Sequence, residues 1–375
     1  MFYNHPAPVL FKAGVHKACR FFRQNKRIFS PCKLTYPRHT WFGFCFLIPM
    51  RALYEQIVLL FSTPLYVLVI GAELLISHLE GVKSYTWKDT IHNFLLSLLT
   101  GLTDLAMRSI SLIAITFFFS YSFFSWSYSI TYWVILLLFT DMMHYWLHRL
   151  GHQCRFFWAV HVNHHTSTHF NFSVGFRSGV LEPFYSFIFF IPIALAGFRP
   201  IDIFFMYSVC QVWAILTHTE KVKKLGWLEY IFVTPSHHRV HHASNPKYLD
   251  KNMGTVFIFW DKLFGTFQKE LPPQQYEPIR YGITHPLENN SLPNLIFHEW
   301  AAIVKDLRRK DIGLKQKLKY LFGPPGWSHD GQRMTSEEMR RQEHIKNSSA
   351  PSGKKGNTRR IKQTFVAPVN NNKTV

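Results

Sequence analysis

Residues 141–165 read DMMHYWLHRLGHQCRFFWAVHVNHH, and the rest of the chain is read outward from them. His144, His148 and His152 recur at steps of four, which on an unbroken helix stacks them along one face. His161, His164 and His165 follow at i, i+3, i+4, so three imidazoles share one side of a second helical segment. A third cluster, His237, His238, His241 and His242 in TPSHHRVHH (234–242), repeats the HxxHH spacing. Imidazole is the commonest metal-binding side chain. A catalytic zinc ion takes about three protein ligands, so eight or more imidazoles at repeated helical spacing imply two metal ions. Any one of these histidines alone would read as an ordinary core or surface residue. The repetition carries the argument.

Of the 375 residues, 47% are hydrophobic and only 17% charged, and 36 are phenylalanine. With its long apolar runs, that balance points to a membrane protein rather than a soluble enzyme. The formal net charge is +20, with the basic residues gathered mostly at the two ends. A nucleic-acid binder would also be basic, but here the positive charge flanks apolar spans. Membrane orientation and contact with anionic headgroups account for it, and no nucleic-acid partner is expected. The five cysteines, Cys19, Cys32, Cys45, Cys154 and Cys210, are odd in number and scattered without a CxxC pair, which fits a reducing, cytosol-facing compartment. The first forty residues are basic and interrupted, without the compact apolar core of a cleavable signal.

In chain order, residues 1–54 read as a basic cytosolic segment, held there by Lys12, Lys17, Arg20, Arg23, Lys26, Arg27, Lys33 and Arg38. A membrane domain is expected over 55–331, with spans at about 55–78, 93–126, 129–148 and 180–218, since ~20 apolar residues cross ~30 Å of hydrocarbon. Asp104 and Arg108 interrupt the second of these. It reads either as two short segments, 93–109 and 111–126, or as an interfacial helix feeding one span. Parity favours two segments, because an even number of crossings returns His148 to the side of the N-terminus. The turn FRP (198–200) folds 180–198 back onto 201–218, a hairpin that delivers His218 beside the other histidines. Residues 149–178 and 219–331 are expected to form a cytosolic cap, and 332–375 a disordered basic tail too poor in apolar residues to build a core. The fold class is thus all-α: an integral membrane helical bundle whose histidine-rich cap holds a dimetal site. Both termini and all three histidine clusters are expected on the cytoplasmic side.

The motifs HRLGH (148–152), HVNHH (161–165) and HHRVHH (237–242) resemble the histidine boxes of the membrane fatty acid hydroxylase and sterol desaturase superfamily. The flanks sharpen the likeness. ILTHTEKVKKLGWLEYIFVTPSHHRVHHASNPKYLDKNMG (215–254) and FWDKLFGTF (259–267) look like the alkylglycerol monooxygenase and bacterial sterol-desaturase-like branch, and YGITHPL (281–287) and FGPPGWSHDG (322–331) extend it. The resemblance covers roughly residues 55–331. It carries the first box to His148 and His152, not to His144, whose position is commonly aromatic in the family. The second box falls on His161, His164 and His165, and the third on His238, His241 and His242. His218, before Thr-Glu, completes the set, and His237 is expected just outside it. The resemblance further implies two iron ions, O2 as co-substrate, and an external electron donor such as a cytochrome b5-like or ferredoxin-like protein. In the ether-lipid branch a Glu follows the second histidine of the first box; here that position is Gln153. This departure tilts the expectation toward sterol-type hydroxylation or desaturation, with alkylglycerol (ether lipid) monooxygenation as the alternative.

Residue chemistry alone does not name the metal, since imidazole suits zinc, copper, iron and nickel alike. Asp141, Gln153, Glu220 and Asp250 are the nearby groups able to orient imidazole rings. Trp260 and Phe264 are expected to pack the cap onto the membrane helices, with Asp261 in a local hydrogen bond. Lys221, Lys223 and Lys224 offer a docking surface for an acidic electron donor or anionic lipid. A metal transporter would place its ionisable residues near the bilayer midplane on broken helices, whereas these histidines gather at span ends. A metal-dependent hydrolase would need HExxH or an equivalent base, and a catalytically dead lipid binder would have no reason to keep every box complete. The substrate is therefore expected to be an apolar lipid of the surrounding bilayer, entering near Phe172, Phe176, Phe184 and Tyr185.

Overall fold

The computed structural model describes residues 40–349. The chain divides into two compact units, 1–53 and 54–375. Of the first unit only the helical backbone from Thr40 is described; the rest of the architecture belongs to the second. Residues 1–39 of the expected basic segment 1–54, and residues 350–375 of the expected tail 332–375, lie outside the described residues.

The described residues contain no strand, only isolated bridges between Phe232 and Phe257 and between Ala243 and Tyr281. Helices α1 (Thr40–Leu79), α2 (Trp87–Phe119) and α3 (Ile130–Gln153) are long and apolar enough to cross a membrane, the first over Leu60–Leu79. The break expected inside 93–126 is absent. α2 runs for 33 residues, ~50 Å at the helical rise. Arg108 Nη2 reaches Asp104 Oδ2 one turn back at 2.9 Å, so the two charges that suggested a boundary satisfy each other on one helix face. Three long apolar helices precede the histidines in place of four segments, and the even-count argument loses its premise.

Polar tethers determine which helix ends gather. Glu73, near the end of α1, accepts from the Phe172 amide at 2.9 Å and from the Tyr85 and Thr219 hydroxyls. Asn93, near the start of α2, donates to Ser173 Oγ at 2.9 Å. The end of α1, the start of α2 and the end of α3 therefore meet at the histidines. At the far end the Phe123 amide donates to Leu195 O and Trp126 Nε1 to Ala196 O, both at 2.8 Å. Residues 180–218 run between the two ends and back. The 3-10 turns Glu182–Phe184 and Ser186–Phe190 and helix α5 (Ile191–Leu195) lead away, and α6 (Pro200–Leu216) returns. Pro200 starts α6, where its missing N–H costs nothing. The core between these elements buries Leu136, Phe190, Ile193, Phe198 and Met206. Among lipid tails its cohesion comes from packing rather than transfer out of water.

The cap holds α4 (Arg155–His165), α7 (Pro235–His241), α8 (Phe259–Phe264), α9 (Leu292–Leu307), α10 (Leu314–Phe322) and α11 (Ser336–Ser349). Arg155 binds α4 to α9 through Glu299 at 2.6 Å and Asp306 at 2.7 Å. α11 falls inside the tail that composition marked as disordered. Its Arg340 donates to Leu249 O at 2.7 Å, and its Glu343 accepts from Tyr276 at 2.6 Å. Contact with the cap supplies the order that its own apolar content does not.

Candidate metal centre

α3 ends where Cys154 leaves the helix, and α4 restarts at Arg155. The chain therefore folds back within one residue, and the second histidine box lies against the first. α7 is nucleated by Thr234 with Pro235 in its first turn, and His237 closes a capping box. His218 arrives just beyond the end of α6.

The nine histidines to which the family motifs point come together in two groups. His148, His152, His161, His165 and His241 form one; His164, His218, His238 and His242 form the other, with ligand nitrogens within 4.8 Å of one another in each. His144 belongs to neither. One turn further into the core, its Nδ1 donates to Thr140 O at 2.9 Å and its ring stacks on Tyr207. His237 also stays outside, on the Thr234 cap at 3.4 Å.

The hydrogen bonds of the outward nitrogens set the state of the inward ones. His148 Nδ1 donates to Met253 O at 2.9 Å, His241 Nδ1 to Lys251 O at 3.0 Å, and His152 Nδ1 to Asp250 Oδ1 at 3.2 Å. In the second group His164 Nδ1 donates to Arg177 O at 2.6 Å and His218 Nδ1 to Ala214 O at 2.8 Å. Carbonyl acceptors compel a proton on Nδ1, which leaves Nε2 as a lone pair aimed inward. Nε2 of His148, His152 and His241 is buried without any hydrogen-bond partner. Nε2 of His164 and His218 stand 3.4 Å apart, two lone pairs facing each other. Such an arrangement is repulsive unless a cation lies between them, and buried polar atoms are otherwise paired. The donor set fits two metal ions, one in each group.

Electrostatics agree. Removal from water holds His161, His164, His165, His238, His241 and His242 well below the ordinary imidazole range and takes His218 down to about 4. The rings are neutral at pH 7 and able to bind metal.

Of the four orienting candidates read from the sequence, only Asp250 touches a histidine. Asp141 instead accepts from the Val256 and Phe257 amides at 2.7 and 2.9 Å and from Trp260 Nε1 at 3.0 Å, clamping the cap to α3. Phe264 stacks on Tyr145 in the same joint. Glu220 accepts from Tyr281, and Gln153, exposed at the end of α3, accepts from Arg149. The orienting work falls to the loop that follows Asp250, of which residue types marked only Asp250 itself. Residues 250–253 present three acceptors to three histidines, with Asp250 and Asn252 at φ of 52° and 55°. Asp261 anchors this loop through the Met253 and Gly254 amides at 2.6 and 2.8 Å. A Cβ on Gly254 would fall 2.7 Å from Phe257 O, so only glycine fits there. Arg177 plays the same part for His164. It is buried and held by Asn93, Thr166 and Asp89 at 2.6–2.7 Å, partners too distant in sequence for any local pattern to signal.

The aromatics expected at a lipid entrance have different surroundings. Phe172 is buried, Phe176 packs against Tyr66 and Phe94 of α1 and α2, Phe184 is exposed, and Tyr185 lies against Phe157 of α4. Lys221 pairs with Glu80 at 2.6 Å and Lys224 donates to Glu270 O at 3.0 Å, leaving Lys223 without such a contact among the described residues.

Residues 133–266 match the fatty acid hydroxylase family, and the chain belongs to the membrane fatty acid hydroxylase and sterol desaturase superfamily. Within it, the alkylglycerol monooxygenase of Danio rerio is 34% identical over 71% of this chain and 59% of its own length. That of Homo sapiens is also 34% identical, over 74% of this chain and 62% of its own. The Delta(7)-sterol 5(6)-desaturase of Gibberella zeae is 26% identical over 43% of this chain and 48% of its own. The chain thus spans about three fifths of the length of these two alkylglycerol monooxygenases. No solved structure matches.

Proposed function

We propose that this protein is a membrane monooxygenase that oxidises an alkylglycerol ether lipid with O2 and electrons from an external donor. The facing lone pairs of His164 and His218 carry the reading of a metal centre, and the relatives at 34% identity carry the substrate class. His148, His152, His161, His165 and His241 would hold one iron, and His164, His218, His238 and His242 the other. Bound there, the irons would supply activation of O2. The protein supplies neutral ligands, tautomers set by the loop 250–253 and by Arg177, and a buried setting that keeps bulk water out. In the overall reaction one oxygen atom enters the C–H bond beside the ether oxygen and the other leaves as water, consuming two electrons and two protons. The resulting hemiacetal collapses to an aldehyde and glycerol.

The sterol preference argued from Gln153 yields to this reading. Gln153 is exposed, bonded to Arg149, and touches no histidine, so an amide there leaves the charge at the metal site unchanged. The histidines at the end of α3 and beyond α6 would sit at the bilayer surface, where a lipid reaches them without entering water. The test is turnover in nanodiscs supplied with an electron donor and either an alkylglycerol or a sterol. O2-dependent release of aldehyde and glycerol, by protein holding two iron atoms per chain, is expected. Turnover of the sterol alone, turnover without O2, or one metal atom in active protein would overturn the proposal.

A further inference from the structure

We propose that α9 and α10 form a platform lying in the headgroup layer beside the metal centre, where it binds anionic phospholipid. The inference rests on the membrane placement of α1–α3 and goes beyond it. Leu295 and Ile296 of α9 pack with Leu96 of α2 and with Val180. Leu96 stands nine residues into α2, ~14 Å along its axis, so the inner side of α9 is set against a bilayer-crossing helix. On that helix Leu98 and Leu102 remain 60% and 55% exposed, the surface expected to face lipid.

The outer side of the platform is apolar, and no described part of the chain covers it. Phe297, Trp300, Ala301 and Val304 line a groove of about 490 Å³ that ends at Lys305 and Arg308. On α10, Leu314, Leu318 and Phe322 follow at i, i+4, i+8, so they share one face, and each is about half or more exposed. A contiguous apolar face of this kind marks an interaction surface.

Its charges select the partner. The acidic residues of this region are turned elsewhere: Glu299 and Asp306 pair with Arg155, and Asp311 with Arg309. Lys305, Arg308, Lys310, Lys315 and Lys317 are left with no carboxylate partner among the described residues. An apolar face rimmed by free cations and adjoining a membrane helix is the arrangement of an interfacial helix on an anionic leaflet.

The test places an environment-sensitive fluorophore, as an unnatural amino acid, at Leu318. Leu102 on α2 serves as the membrane control and Gln274 in the cap as the water control. The full chain is reconstituted in nanodiscs of phosphatidylcholine, with or without phosphatidylserine, containing nitroxide-labelled lipid. The Leu318 probe is expected to shift to the blue and be quenched, more so with phosphatidylserine, while the Gln274 probe does neither. Lys305→Glu/Arg308→Glu/Lys315→Glu/Lys317→Glu, with its melting temperature checked, is expected to lose the preference for phosphatidylserine. Quenching at Leu102 without quenching at Leu318 would overturn the platform while leaving the membrane placement standing, and would point to an acidic protein as partner. No quenching at either site would remove the membrane placement, and the platform with it. Equal quenching in both lipid mixtures would overturn the selectivity for anionic lipid.

Discussion

Asp250 offers the sharpest test of how the metal centre is organised. Its carboxylate meets His152 Nδ1 at 3.2 Å, and its backbone is left-handed at φ 52°. Asp250→Asn keeps an acceptor oxygen and tolerates that backbone, so only the negative charge is lost. Asp250→Gly removes the acceptor and relaxes the backbone. Asp250→Ala removes the acceptor and adds ~1–2 kcal/mol of left-handed strain. Losing a group that orients a ligating imidazole typically costs ~10–100-fold in metal affinity, or about 1.4–2.7 kcal/mol. The strain is small beside the ~5–15 kcal/mol that holds a typical domain folded, so all three variants should fold. Competition with a chelator, followed by elemental analysis in detergent, should show one metal weakened by ~10–100-fold in the Gly and Ala variants. The Asn variant should lose less. The metal on His164, His218, His238 and His242 should hold as tightly as before. Weaker metal binding should lower the melting temperature of both the Gly and Ala variants, with the added strain lowering Asp250→Ala further. Unchanged affinity in Asp250→Gly, or parallel loss of both metals, would refute the argument that Asp250 acts through His152 on one site.

Three further outcomes are expected from the same contacts. His148→Ala and His152→Ala should abolish activity and lower the metal content, whereas His144→Ala should keep both metals and measurable activity; its cavity beside Tyr207 should cost about 2–4 kcal/mol in denaturant unfolding. Arg177→Lys cannot reach Asn93, Thr166 and Asp89 together, and breaking this buried charge network should cost about 3–5 kcal/mol and weaken the four-histidine site, read by unfolding and by chelator competition. Membrane-impermeant labels should reach single cysteines at Lys83 and Gln274 from the cytoplasmic side and one at Ser122 from the other; labelling of all three from one side would rule out α2 and α3 as crossing helices.

Which histidines gather was legible in the sequence because the spacing of side chains along a helix is a local property. With 3.6 residues per turn, HxxxH and HxxHH declare a helical face before any tertiary contact exists. The helical class and the apolar spans were legible for the same reason. How the ligands divide was not. Each HxxHH box serves both groups, with His161 and His165 on one side and His164 on the other, then His241 against His238 and His242. Residues four apart lie ~40° from each other around the axis, while the one between them turns ~60° the other way. That turn becomes a partition only when α4 and α7 are set against α3 and His218. His144 shows the converse, since its spacing matches a ligand's and one turn of depth removes it. Asp104 and Arg108 read as a boundary because a sequence shows two charges, while a helix shows them joined. Asp250 apart, the acceptors that orient these imidazoles could not be read, because Met253 O, Lys251 O and Arg177 O belong to the backbone. Every residue carries a carbonyl, and only the fold decides where it points.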